Sequence, residues 1–234
     1  MLTDAGAGVV CLLDVDNTLL DNDAFSAALD GRLTQALGDR GRARYRALYE
    51  AVRAERGYAD YLEPLQRMRR DFEHDPDLLR MSTFLLDFPF DQLVYPGALQ
   101  AMKSLAGQGC TSVILSDGDI VFQPHKIQRS GLWDAVQGRV LVTVHKERML
   151  DAVKEAWPAR HYILVDDKPR LLAAVKAAWG GAVTTVFVRQ GHYARGAEGT
   201  LVQPAPDRVI DRIAELARLD LGETGTPAPL ATRV

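Results

Sequence analysis

The chain has 234 residues, 47% apolar and 25% charged, which suits one globular α/β core with an inserted subdomain and excludes a disordered or fibrous protein. Its formal charge of -3, with an isoelectric point near 6.0, supplies no long-range positive field, so neither nucleic acid nor an anionic membrane is an expected partner. Two cysteines, Cys11 and Cys110, make no disulfide framework, and no basic segment followed by a long apolar run opens the sequence, so a cytoplasmic location is expected.

Short apolar runs ending in polar or acidic residues recur along the chain: Val9 to Leu13, Ser112 to Leu115, Val140 to Val142, Tyr162 to Val165 and Val183 to Val188. Each has the length of a strand. Helical patterns lie between the later ones, at Pro96 to Ala106, Ile120 to Ser130, Glu147 to Trp157 and Pro169 to Trp179. This alternation predicts an α/β fold with a doubly wound, mainly parallel, Rossmann-like sheet.

Between the first two runs, residues 21–93 show no strand pattern. Apolar residues recur there three or four apart, marking four helices around Leu29–Leu33–Leu37, Tyr45–Leu48–Tyr49–Val52, Leu62–Leu65–Met68 and Leu78–Leu79–Leu85–Leu86. Gly38, Gly41, Gly57 and the His74-Asp75-Pro76 turn separate them. Residues 1–20 and 94–220 are therefore expected to form the core, 21–93 a helical-bundle cap, and 221–234 a flexible tail. Gln190 to Pro206 reads as a loop and Asp207 to Leu219 as a closing amphipathic helix. Arginines from Arg40 to Arg56, and at Arg67, Arg69 and Arg70, alternate with Ala, Leu and Tyr and read as solvated helix faces.

Three strand ends carry chemistry, and ligands of open parallel sheets bind outside the carboxyl ends of strands. The first reads Asp14-Val15-Asp16-Asn17-Thr18, with two carboxylates spaced to lie on one side of an extended chain. A plain turn or cap would also use such residues. The fourth strand ends Asp166-Asp167-Lys168, and adjacent acids repel unless a cation holds them. An all-carboxylate set suits a hard, oxygen-ligated ion such as Mg2+. Neighbours on a strand point oppositely, so Asp167 is expected to ligate directly and Asp166 to act from behind it. Ser116, before Asp117-Gly118, can offer its hydroxyl to an oxyanion, although a serine there can equally cap a helix. Lys146 starts a helix where its charge opposes the macrodipole, a slightly costly place, although an exposed surface lysine is the plain alternative. Lys126, Lys154 and Lys168 compete for its role, but none follows a strand at a comparable spacing between Ser116 and Asp166.

The order Asp14-x-Asp16-x-Thr18, Ser116, Lys146, Asp166-Asp167 resembles the haloacid dehalogenase superfamily, over Val9 to about Val188. Glu147 stands where many relatives continue Lys-Pro. The resemblance implies a phosphohydrolase in which Asp14 is the nucleophile and Asp16 the general acid and base. It further implies metal binding by Asp14, Asp16 (through its backbone carbonyl) and Asp167, with Ser116 and Lys146 on the phosphate oxygens and Thr18 fixing the loop. The 21–93 insertion would be the α-helical cap that selects substrate, with Phe25, Tyr58, Tyr61 and Arg67 as candidate contacts and His192, Tyr193 and Arg195 as a possible rim. A small phosphorylated metabolite is the expected partner, bound by a monomer or homodimer. A phosphomutase, a 2-haloacid dehalogenase and a non-catalytic phospholigand-binding protein are the alternatives. The acid at Asp16 favours phosphate esters, because halide departs without a proton.

Overall fold

In the computed structural model, residues 8–196 and 201–219 are described; the expected tail at 221–234 lies outside them. Six parallel strands form one sheet in the order β3-β2-β1-β4-β5-β6. They are β1 (Val9–Leu13), β2 (Cys110–Asp117), β3 (Val140–Thr143), β4 (His161–Asp166), β5 (Val183–Val188) and β6 (Arg208–Ile210).

The central position of β1 follows from its sequence. Val10 and Leu12 face one apolar cluster with Leu115, Leu172 and Val175, while Cys11 and Leu13 face the other with Ile114, Ile163 and Phe25. A strand apolar on both faces needs cover on both, which a parallel sheet flanked by helices provides. Leu13 pairs with Ile114 on one side and Val165 on the other, so β1 and β4 end within a residue of each other while β2 runs on to Asp117.

The inserted segment is helical. Helix α1 (Asn22–Arg56) starts at Asp21, whose carboxylate accepts from the Ala24 amide, and stops at Gly57 in the left-handed conformation. The expected first two helices are its two halves, which meet at a kink where Gly38 has φ 67° and ψ -179°. Gly41, expected as a break, is instead a buried position inside the helix. Helices α2 (Glu63–Met68) and α3 (Pro76–Asp87) follow, each with proline in its first turn.

Returning to the sheet, the chain forms α4 (Ala98–Gly107), α5 (Phe122–Arg129) and the short α6 (Leu132–Ala135). Helix α7 (Leu150–Ala156) is preceded by a 3-10 turn at Lys146–Arg148, so the helix expected from Glu147 is divided. Helix α8 (Pro169–Trp179) matches its expected span. Two expectations are corrected beyond β5. The loop expected over 190–206 contains a helix, α9 (Gly191–Gly196). The closing helix expected over 207–219 is instead β6 followed by a 3-10 helix at Ile213–Arg218. The Asp207 carboxylate accepts from the Thr185 amide and hydroxyl and from Lys176, drawing the segment alongside β5 as an edge strand. Among the described residues, no helix is long and apolar enough to cross a membrane.

Candidate active site

Asp14 is the first residue past β1, and its amide donates to the Val165 carbonyl at 3.0 Å, so the β1–β4 ladder carries on to it. The chain then curls: the amides of Thr18, Leu19 and Leu20 all donate to the Val15 carbonyl, and Asn17 takes φ 61°. That curl brings the Thr18 hydroxyl within 3.4 Å of Asp14 Oδ2. Asn17 Oδ1 accepts from the amides of Asn22 and Asp23, fixing the start of α1 to the same loop.

Lys146 approaches from beyond β3. Its Nζ lies 2.5 Å from Asp14 Oδ1 and 2.6 Å from Asp166 Oδ2, the second contact outside hydrogen-bond alignment. Asp117 positions this lysine's backbone, accepting from the Lys146 amide at 2.9 Å and the Thr143 hydroxyl at 2.8 Å. Burial alone would discharge Lys146, but Asp14, Asp166 and Asp117 outweigh it and hold its affinity for the proton above the ordinary value. Burial likewise opposes ionisation of Asp14, and Lys146 and Lys168 reverse the balance, so that its pKa falls.

At the end of β4, both acids are fully buried. Asp166 Oδ1 accepts from the Lys168 amide at 2.8 Å, but neither oxygen of Asp167 has a hydrogen-bond partner. Burial, then the charges of Asp166 and Asp14, push the Asp167 carboxyl up to about 9. Carboxylate oxygens from Asp14, Asp166 and Asp167 all lie within 4.8 Å of one another. Three acids so close, one of them without any donor, suit a hard divalent cation ligated by oxygen.

Asp14 and Asp167 of this trio are expected ligands, and Asp166, expected behind Asp167, offers a side-chain oxygen as well. Asp166 joins it directly, because Lys146 draws its carboxylate toward Asp14. The Asp16 carboxylate is not part of it. Its Oδ1 lies 2.5 Å from Lys126 Nζ and its Oδ2 3.3 Å from Gln123 Nε2. Gln123 also donates to Ser116 Oγ at 2.9 Å.

A cavity of about 440 Å³ opens beside Asp16 and Asp117, walled by the insertion's Tyr49, Arg53, Tyr58 and Tyr61. Two of the proposed substrate contacts are elsewhere. Phe25 is wholly buried, its ring packed on those of Tyr61, Phe88, Phe90 and Phe122. Arg67 turns to Glu55 at 2.7 Å and Glu63 at 3.0 Å. His192 and Tyr193 of α9 do border the cavity, while Arg195 pairs with Asp23 at 2.6 Å. Gly191 permits this approach: at φ 70°, a Cβ there would stand 2.3 Å from that of Asn17.

Sequence reasoning passed over Gln123 and Asp117, and it weighed Lys126 only as a substitute for Lys146. A signal was present, since Gln123 and Lys126 share the buried stripe of α5 with Phe122 and Ile127, where apolar residues are expected.

Comparison with known proteins identifies the family and the fold. The family model for haloacid dehalogenase-like hydrolases matches residues 9–178. A Burkholderia xenovorans LB400 protein assigned to the haloacid dehalogenase-like hydrolases is 53% identical, with 92% of this chain and 99% of that one covered and a TM-score of 0.84. The fold is shared with the L-2-haloacid dehalogenase of Xanthobacter autotrophicus (19% identity, 91% and 97% covered, TM-score 0.58). It is shared also with a phosphatase of Thermococcus onnurineus (18% identity, 89% and 96% covered, TM-score 0.61). No curated protein matches. With the family model covering most of the sheet and the site, the chain belongs to the haloacid dehalogenase-like hydrolases.

Proposed function

We propose that the chain is a magnesium-dependent phosphohydrolase that cleaves a small phosphate monoester through an aspartyl phosphate on Asp14. The observation that carries this reading is the buried trio of Asp14, Asp166 and Asp167, with a second acid, Asp16, two residues beyond the nucleophile and outside the trio. A dehalogenase needs no proton donor for its leaving halide, whereas an alkoxide does.

The trio would hold the ion, with Asp167 offering two oxygens that have no other partner. A magnesium ion bound there supplies positive charge against the phosphoryl oxygens. The need is quantitative: a carboxylate about 4 Å from a dianionic phosphate, at an effective dielectric near 20, is opposed by roughly 8 kcal/mol. Lys146 answers part of that repulsion, and Ser116 Oγ lies at the end of the adjacent strand to donate to a phosphate oxygen. Asp14 forms the bond to phosphorus as the ester oxygen departs with a proton from Asp16. Water then attacks the same phosphorus, gives its proton to Asp16, and frees Asp14.

Hydrolysis of p-nitrophenyl phosphate and of a panel of phosphorylated metabolites, with and without a chelator, tests the reading. Chelation is expected to abolish turnover, and Asp14→Asn to lower it on the order of 10⁴–10⁶-fold. Halide release from a 2-haloacid without phosphate release from any ester would reassign the chain to the dehalogenases. Isomerised sugar phosphate in place of free phosphate would make it a phosphomutase.

A further inference from the structure

Lys126 has no contact with the Asp14 trio, yet its side chain is completely buried beneath the site. An ammonium ion is costly to bury and stays charged only where a partner meets it. Here that partner is Asp16 Oδ1 at 2.5 Å, supplemented by Asn22 Oδ1 at 3.3 Å. One helical turn earlier, Gln123 reaches the other oxygen of Asp16 at 3.3 Å while holding Ser116 at 2.9 Å. Both oxygens of one carboxylate are thus held from a single face of α5.

The approach of α5 is itself built. Asp119 Oδ1 accepts from the amides of Val121 and Phe122, at 2.9 and 2.6 Å, and sets the direction of the helix. Gly118 clears the way, since a Cβ there would stand 2.8 Å from that of Gln123. Asp16 borders the cavity, with its side chain 22% exposed, whereas Lys126 is fully buried and meets the cavity wall at Asp16 and Asn22. A purely structural ion pair would have no reason to place its acid member on a substrate cavity two residues from Asp14.

We propose that Lys126 and Gln123 are positioning residues that hold the Asp16 carboxylate in place for proton transfer to and from the reacting oxygens. The inference rests on the phosphohydrolase reading. In the first half-reaction the Asp14 oxygen–phosphorus bond forms, the ester P–O bond breaks, and the Asp16 proton goes to the departing oxygen. In the second, the water oxygen–phosphorus bond forms, the bond to Asp14 breaks, and the water proton returns to Asp16.

The test compares leaving groups in single-turnover reactions of the full chain with magnesium, using p-nitrophenyl phosphate and glycerol phosphate. p-Nitrophenoxide departs without a proton and glycerolate does not. Lys126→Met is expected to slow phosphoryl transfer from glycerol phosphate about 100-fold or more and from p-nitrophenyl phosphate less than about 5-fold, with KM moving little. Lys126→Arg should restore most of the loss. Gln123→Met, which removes no charge but also releases Ser116, is expected to slow both esters, with glycerol phosphate slowed about 10-fold more than p-nitrophenyl phosphate, whether or not Lys126→Met folds. Equal slowing of both esters overturns the proposal, as does a crystal structure of either methionine variant with Asp16 in its present rotamer. If the unaltered chain releases phosphate from neither ester nor any member of the metabolite panel, the phosphohydrolase reading fails. The Asp16 rotamer in those crystals then decides the positioning claim by itself.

Discussion

Asp167 pays for its place at the site with two buried oxygens that have no donor. Its carboxyl is raised to about 9, first by burial and then by Asp166 and Asp14, so in the metal-free chain the folded state keeps a proton that the unfolded state gives up. For a raised acid, stability is fully present below the unfolded pKa of about 3.9 and is lost as pH climbs to the folded value. Asp167→Asn removes the group, so in a chelator it is expected to melt higher than the unaltered chain, by a margin that widens from about pH 4 to pH 9. With magnesium, the order should reverse, because the variant has lost a ligand. Thermal melts across pH, with and without magnesium, check both signs. That the Asp166-Asp167 pair belongs to a site was legible, since two adjacent acids close an apolar run. The contact of Lys146 with Asp166 was not, because it arises only when distant strand ends meet. The same holds for Asp16, whose partners on α5 come 107 and 110 residues later.

Among the elements, strands β1 and β5 coincide with their expected spans because each is a run of β-branched and apolar residues closed by a charged one, Asp14 or Arg189. Strand β6 escaped notice for a physical reason. It has three residues, and the buried Ile210, Ile213 and Leu216 recur every third position, a spacing that reads as helix. Gly38 shows the opposite case, a break legible as a glycine whose geometry was not. Its φ of 67° with ψ near 180° belongs to a region that side chains strongly disfavour, although no atom crowds the position. Gly38→Ala is therefore expected to destabilise by about 1–3 kcal/mol through backbone strain alone, lowering the melting temperature by roughly 2–10 °C. An unchanged melting temperature would mean that the kink relaxes into a straight helix.

For the whole molecule, the decisive feature is a core that ignores the boundary between insertion and sheet. Phe25, Leu29, Tyr45 and Leu85 of the helical insertion belong to the same apolar cluster as Leu13, Ile114 and Ile163 of the strands and Ile210 at the edge. Units that share a core lose it together, so calorimetry is expected to give one unfolding transition, with calorimetric and van't Hoff enthalpies in agreement. Two resolved transitions would show the insertion to be an independent folding unit. The parallel sheet was readable from the alternation of apolar runs and helical patterns. The shared core was not, because apolar spacing tells which residues are buried but not against what.

The bond from the Asp14 amide to the Val165 carbonyl has one more outcome. It makes Asp14, the proposed nucleophile, part of the innermost strand ladder, so that its amide deuterium should escape only when the entire sheet opens. The slowest-exchanging protons of this protein would then include one at its reactive centre, reporting global opening with no substrate present.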